Sequence, residues 1–211
     1  MEVIVIRDLH KEYGGTKLFN GLNLRLNEHE HLVVIGPNGA GKTTFVRILL
    51  GIERPSKGYV KIFGVTPSKA RDSGLIAGIL DNVFPPATRI NDLIDLVNAV
   101  TSIDLTMFEK NLVELGLYNE IHKPIDSFSA GMKRKLLIAL LLSLKVPVLV
   151  IDDPFSYLDP ASAHKVEKLI VSNLEMHKLV VITMHKFKRR FAKHFRVMLF
   201  LYEGYHKIKR C

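Results

Sequence analysis

A chain of 211 residues is long enough for one large core or two small lobes sharing one. Its apolar share of 47% and charged share of 24% are those of an ordinary globular protein, and its longest apolar run, LLIALLLSL at residues 136–144, falls well short of the ~20 residues that a membrane-spanning helix needs. The lone Cys211 excludes an internal disulfide and fits a reducing, cytoplasmic setting. The net charge of +9 is concentrated in residues 185–211, where nine Lys or Arg stand against Glu203, a net +8. Such an end suits anionic lipid or nucleic acid, or a plain solvated face.

In chain order, the start carries no basic and apolar leader pattern. VIVIR and LNLRL alternate apolar with polar residues and predict two strands. HLVVIG is continuously apolar, the mark of a strand covered on both faces. A glycine turn follows, then a helix from Phe45 that stops near Gly51. YVKIF and LIAGIL predict two more strands. Between about residues 86 and 144 the pattern turns helical, with Ile90, Leu93, Ile94 and Val97 at helical spacing and Phe108, Leu112 and Leu115 repeating it. VPVLVI, a helix from Pro160 to about Met176, KLVVITM and VMLFLY then restore alternation of strand and helix. Asp159 before Pro160 is a capping carboxylate with proline in the first turn. The expected layout is an α/β core, residues 1–85 and 145–211, interrupted by a helical lobe at 86–144.

GPNGAGKT, made of Gly36, Pro37, Asn38, Gly39, Ala40, Gly41, Lys42 and Thr43, fits G-x-x-x-x-G-K-[ST] between a buried strand and a helix. Glycines let backbone N–H groups turn onto phosphate oxygens, and the helix start adds unpaired donors and a positive dipole end. Lys42 then neutralises the β- and γ-phosphates, and Thr43 offers its hydroxyl to Mg²⁺. VLVIDDP runs a buried strand straight into Asp152 and Asp153. Buried carboxylates require a cation, and Asp152 is expected to hold the second side of the Mg²⁺ of a nucleoside triphosphate. Ligands gather at the carboxyl ends of strands in open α/β sheets, which brings the two groups to one crevice.

With these motifs in place the sequence resembles an ATP-binding cassette (ABC) transporter ATPase over essentially its whole length. GPNGAGKTT matches the Walker A loop, SFSAGMKRK the signature, VLVIDDP the Walker B strand, SYLD the D-loop and TMH the switch, in the family's order. The resemblance implies a P-loop NTPase (RecA-like) α/β core with an N-terminal antiparallel β region and an inserted helical subdomain. It implies ATP and Mg²⁺ as ligands, Thr44 beside Thr43 on the nucleotide, and Tyr13 stacked on adenine, where packing is the plain alternative. It implies two subunits in head-to-tail contact, with Ser129, Ala130, Gly131 and Asp159 closing over the partner's ATP, where an ordinary capped core helix is the alternative. His185 is expected at the γ-phosphate.

Two departures stand out. Asp153 occupies the place where the family usually has Glu to polarise the attacking water, and its shorter arm predicts turnover that is either slow or rescued by a locally shifted backbone. Asp81, or Asn82 beside it, occupies the place of a Gln that contacts metal and water. The leading reading is the ATPase subunit of a separate membrane permease, peripheral on the inner face of the cell membrane, with the permease touching the region around residues 81–90. A second reading is a nucleotide switch of weak turnover that pairs with a better catalytic relative. A third, action on nucleic acid, is favoured by the basic end and opposed by the single cassette and the lack of a long heptad insert, so nucleic acid is not expected as a partner.

Overall fold

Alternating burial at the N-terminus produces long strands. In the computed structural model, which describes residues 1–80, 84–85, 88–202 and 204–210, β1 (Glu2–Tyr13) buries Ile4 and Ile6 and runs antiparallel to β2 (Thr16–Asn27). All four residues of β3 (Leu32–Ile35) are buried, which fits a strand covered on both faces. Each such side chain contributes about 1.5–3 kcal/mol by leaving water. The loop after β3 leads into α1 (Lys42–Leu49), which begins three residues before Phe45 because Gly41, at φ 92°, turns the chain into the helix. β4 (Lys57–Ile62), the short α2 (Pro67–Asp72) and β5 (Ile76–Ile79) follow.

Next come α3 (Ile90–Asn98), α4 (Leu105–Glu114) and α5 (Ala130–Leu142). Nearly every residue of α5 from Leu136 onward is buried, so it is apolar all round rather than amphipathic. The chain then alternates through β6 (Val148–Ile151), α6 (Pro160–Asn173), β7 (Leu179–Met184), α7 (Arg189–Ala192), β8 (Val197–Tyr202) and β9 (Tyr205–Arg210). The sequence pattern missed β9, whose polar residues pair only along one side with β8 and leave most of the strand exposed.

Two sheets result. One is antiparallel, β2-β1-β4, and the other has the order β5-β6-β7-β3-β8-β9, parallel throughout except for β9. Its register decides the site: Ile35 of β3 lies beside Met184 of β7, and Ile151 of β6 beside Ile182. The residues that follow β3, β6 and β7 therefore emerge at the same edge.

The chain divides into two units. Met1–Leu80, Pro147–Asp153 and Leu174–Cys211 form the first, and Asp81–Val146 with Pro154–Asn173 form the second. Residues 154–173, which the sequence reading placed with the α/β core, group instead with the helical lobe, because α6 packs on α4 and α5. Asp81 and Asn82 lie outside the described residues.

Candidate functional site

Three strand ends build the site in the first unit. After β3 the Gly36 N–H donates to the Met184 carbonyl at 3.3 Å, which ties the start of the loop to the end of β7. A Cβ at Gly36 would lie 2.5 Å from the Leu201 carbonyl oxygen, so the chain passes there only without a side chain. Pro37, Asn38 and Gly39 are exposed, while Ala40, Gly41 and Lys42 are buried. No side chain caps the start of α1, so its first N–H groups keep the donor capacity that suits an anion.

Lys42 is only 6% exposed, and its ammonium donates to the Gly36 and Pro37 carbonyls at 2.8 and 2.7 Å. Burial lowers its pKa, against the opposing pull of Asp152 and Asp153. An ammonium carries three donors, and these two carbonyls use two.

Asp152, at the end of β6, is gripped from both sides. Thr43 Oγ1 donates to Oδ2 at 2.7 Å, and Thr183 Oγ1 donates to Oδ1 at 2.5 Å. Thr183 also accepts from the Asp153 N–H at 2.9 Å and is fully buried in β7. One hydroxyl thus orients both carboxylate residues. The sequence reading did not single it out, although a lone hydroxyl within LVVITM, two residues before His185, was the available signal.

Asp153 adopts φ 44°, a left-handed backbone that non-glycine residues seldom take. Its Oδ2 lies 2.7 Å from His185 Nε2, with the carboxylate side chain 24% and the imidazole 44% exposed. The pair faces solvent while Asp152 is buried, so the two adjacent carboxylates have different surroundings.

Tyr13, in the same unit, donates its phenol proton to Glu53. Burial and the Glu53 contact raise its pKa. The remaining predicted residues lie in the second unit. Ser129 caps α5 by accepting from the Met132 N–H at 3.2 Å, and Ala130 is exposed beside it. Gly131 abuts the Tyr157 carbonyl, 2.8 Å from where a Cβ would stand. Asp159 accepts from the Ala161 and Ser162 N–H groups at 2.9 and 3.0 Å, so it caps α6 as the sequence suggested. Hydrogen bonds from Ser162, side chain first, lower its pKa.

The donor set suits a magnesium-bound triphosphate in its chemistry. Thr43 and Asp152 supply two hard oxygens side by side, and a buried cation and an uncapped helix start supply positive charge for phosphate. A glycine-rich loop between a buried parallel strand and a helix, with an acidic residue at the end of a strand in the same sheet, defines a P-loop nucleotide-binding protein.

Comparison with known proteins narrows this class. The model of the family described as "ABC transporter" matches residues 19–156. The lantibiotic transport ATP-binding protein SrtF of Streptococcus pyogenes is 30% identical over 207 residues, 96% of this chain and 88% of that protein. The Nod factor export ATP-binding protein I of Burkholderia lata is 32% identical over 189 residues, 86% of this chain and 62% of the relative. This chain spans about three fifths of the length of the Nod factor proteins it matches. A solved ATP-binding subunit of an ABC transporter superposes with a TM-score of 0.85 at 20% identity, covering 99% of this chain and 90% of the other. CbiO1 of Clostridium perfringens, described as part of the ABC transporter complex CbiONQ, does so with a TM-score of 0.77 at 21% identity, covering 98% and 87%; both likenesses show the fold. The chain belongs to the ABC transporter family of ATP-binding proteins, a family of ATPases.

Proposed function

We propose that this chain is the ATP-binding and hydrolysing subunit that powers a separate membrane permease and works as a pair of cassettes with ATP held between them. The observation that carries the reading is the meeting of Lys42, Thr43 and Asp152 at the ends of β3 and β6. Lys42 binds the outer phosphates, and the uncapped start of α1 receives phosphate oxygens with Thr44 beside them. Thr43 and Asp152 hold Mg²⁺, which when bound neutralises charge on the outer phosphates. Thr183 keeps the Asp152 carboxylate aimed at Thr43. His185 and Asp153 stand beside this cluster as the groups to orient and deprotonate the attacking water.

No helix among the described residues is long and apolar enough to cross a membrane. Two relatives are named for export or transport of cargo, and a structural neighbour is described as part of a transporter complex, which supports a permease partner and a peripheral place on the membrane. Ser129, Ala130, Gly131 and Asp159 are assigned to the second cassette's ATP, and Asp81 to metal and water. Purification from native membranes tests the reading: the chain is expected to co-purify with a membrane protein, and recovery wholly in the soluble fraction counts against it.

One observation favours a variant of this reading. The Asp153 carboxylate is engaged by His185, and aspartate is one methylene shorter than glutamate, so its reach toward a water is short. The subunit then binds ATP well and turns it over slowly, as in a heterodimer whose other member is the faster catalyst.

A further inference from the structure

Tyr13 is held in place by residues that no sequence motif covers. It ends β1 with 45% of its surface exposed, an unusual position for a large aromatic side chain to be fixed in. Two contacts nevertheless hold it. Its hydroxyl donates to Glu53 Oε1, and the same oxygen receives the Lys11 ammonium at 2.7 Å. The ammonium lies 4.7 Å from the Tyr13 ring centroid and also donates to the Arg54 carbonyl at 3.0 Å. Lys11 and Glu53 side chains are only 13% and 19% exposed, so the clamp is far more buried than the ring it holds. The hydrogen bonds from Lys11 and Tyr13 outweigh desolvation and keep Glu53 below its usual pKa, as expected for an anion with two donors.

The phenol also has Thr44 nearby. Thr44, whose side chain opposes the rise in the phenol's pKa, belongs to the first turn of α1 and follows Thr43 directly. The tyrosine is tied to the segment after α1 through Glu53. The Lys11 cation sits over the ring at a distance suited to cation–π attraction. A flat ring fixed at its hydroxyl and beside a cation, with nearly half its surface open, is a prepared stacking platform.

We propose that Lys11 and Glu53 are positioning residues that preorganise Tyr13 to stack on the nucleobase, so that base affinity is set by a partly buried ion pair outside the phosphate loop. The proposal rests on the reading of Tyr13 as the adenine contact. Preorganisation acts by removing the loss of rotamer freedom on binding, which predicts an effect on the base and none on the phosphates.

The test is a calorimetric titration of the full chain with MgATP and, separately, with magnesium tripolyphosphate, which has the phosphates and no base. Stacking of this kind contributes about 0.5–1.5 kcal/mol, so Tyr13→Ala is expected to raise the Kd for ATP about two- to twelvefold. Lys11→Met and Glu53→Gln are each expected to raise it by about threefold, with the Kd for tripolyphosphate unchanged and KM rather than kcat affected in turnover. A merely destabilised fold weakens both ligands, and that result overturns the proposal. If Tyr13→Ala weakens ATP while both clamp variants match the wild type, the clamp alone is wrong. If Tyr13→Ala itself matches the wild type, the adenine reading beneath it fails.

Discussion

The two ends of the adjacent strands β3 and β7 carry ionisable groups in opposite condition. At the end where they begin, His31 is 3% exposed, its Nδ1 accepts from the Val180 N–H at 3.0 Å, and burial pushes its pKa down to about 4. Charge is removed there, because the apolar surroundings make an imidazolium costly. At the other end Lys42, Asp152, Asp153 and His185 converge, bridged by the Thr43 and Thr183 hydroxyls and bordered by the exposed residues 37–39. One end silences its buried titratable group and pairs exposed charges around it, as Lys178 with Glu28, whereas the other gathers charges of both signs around one carboxylate. A ligand with its own charges completes the second arrangement and has no place in the first.

Breaking the charged end produces the largest expected effect. Lys42→Ala removes the charge-assisted contact that the ammonium's remaining donor offers phosphate, and MgATP affinity is expected to fall by up to about 150-fold in a calorimetric titration. A variant that still binds as the wild type does removes Lys42 from the site. The silent end is tested by acid. His31 has a folded pKa of about 4 against 6.5 in the unfolded chain, so its contribution is complete above pH 6.5. Below that the unfolded chain takes up the proton first, and stability falls as pH drops from 6.5 to 4, by at most about 3 kcal/mol. Urea unfolding at pH 7 and pH 4.5 reads this loss, and His31→Gln, which keeps an acceptor for the Val180 N–H, should flatten it.

A smaller effect sharpens the difference between the neighbouring carboxylates. Asp153→Glu lengthens the arm that now meets His185, and ATP turnover is expected to rise by up to about 100-fold, the scale of a 1 Å misplacement. Unchanged turnover would show that residue 153 does not limit the rate. The smallest effect is expected at the capped helix of the other unit. Ser129→Ala should cost about 1 kcal/mol of stability in denaturant unfolding and leave MgATP affinity of the isolated chain unchanged.

How much of this was legible depended on whether the signal was local. The loop at residues 36–43 and the strand ending in Asp152 were readable because consecutive residues carry both the fold and the chemistry. The edge strand β9 was not, since its residues YHKIKR show little apolar alternation and owe their shape to pairing with β8. Thr183 escaped for a related reason. Its role exists only because β7 lies beside β6, 31 residues away, and periodicity cannot report that adjacency. The Lys11 and Glu53 contact to Tyr13 is likewise made across sequence, from β1 to the segment after α1. The grouping of α6 with the helical lobe follows from packing on α4 and α5, which its own amphipathic pattern leaves open.

The central claim is that Lys42, Thr43 and Asp152 together hold a magnesium-bound triphosphate. Its most direct test is one calorimetric comparison, ATP titrated into the wild-type chain with Mg²⁺ and again with the metal chelated by EDTA. Saturable binding that is clearly tighter with Mg²⁺ is the result predicted here. No measurable association, or the same affinity in EDTA, would contradict it.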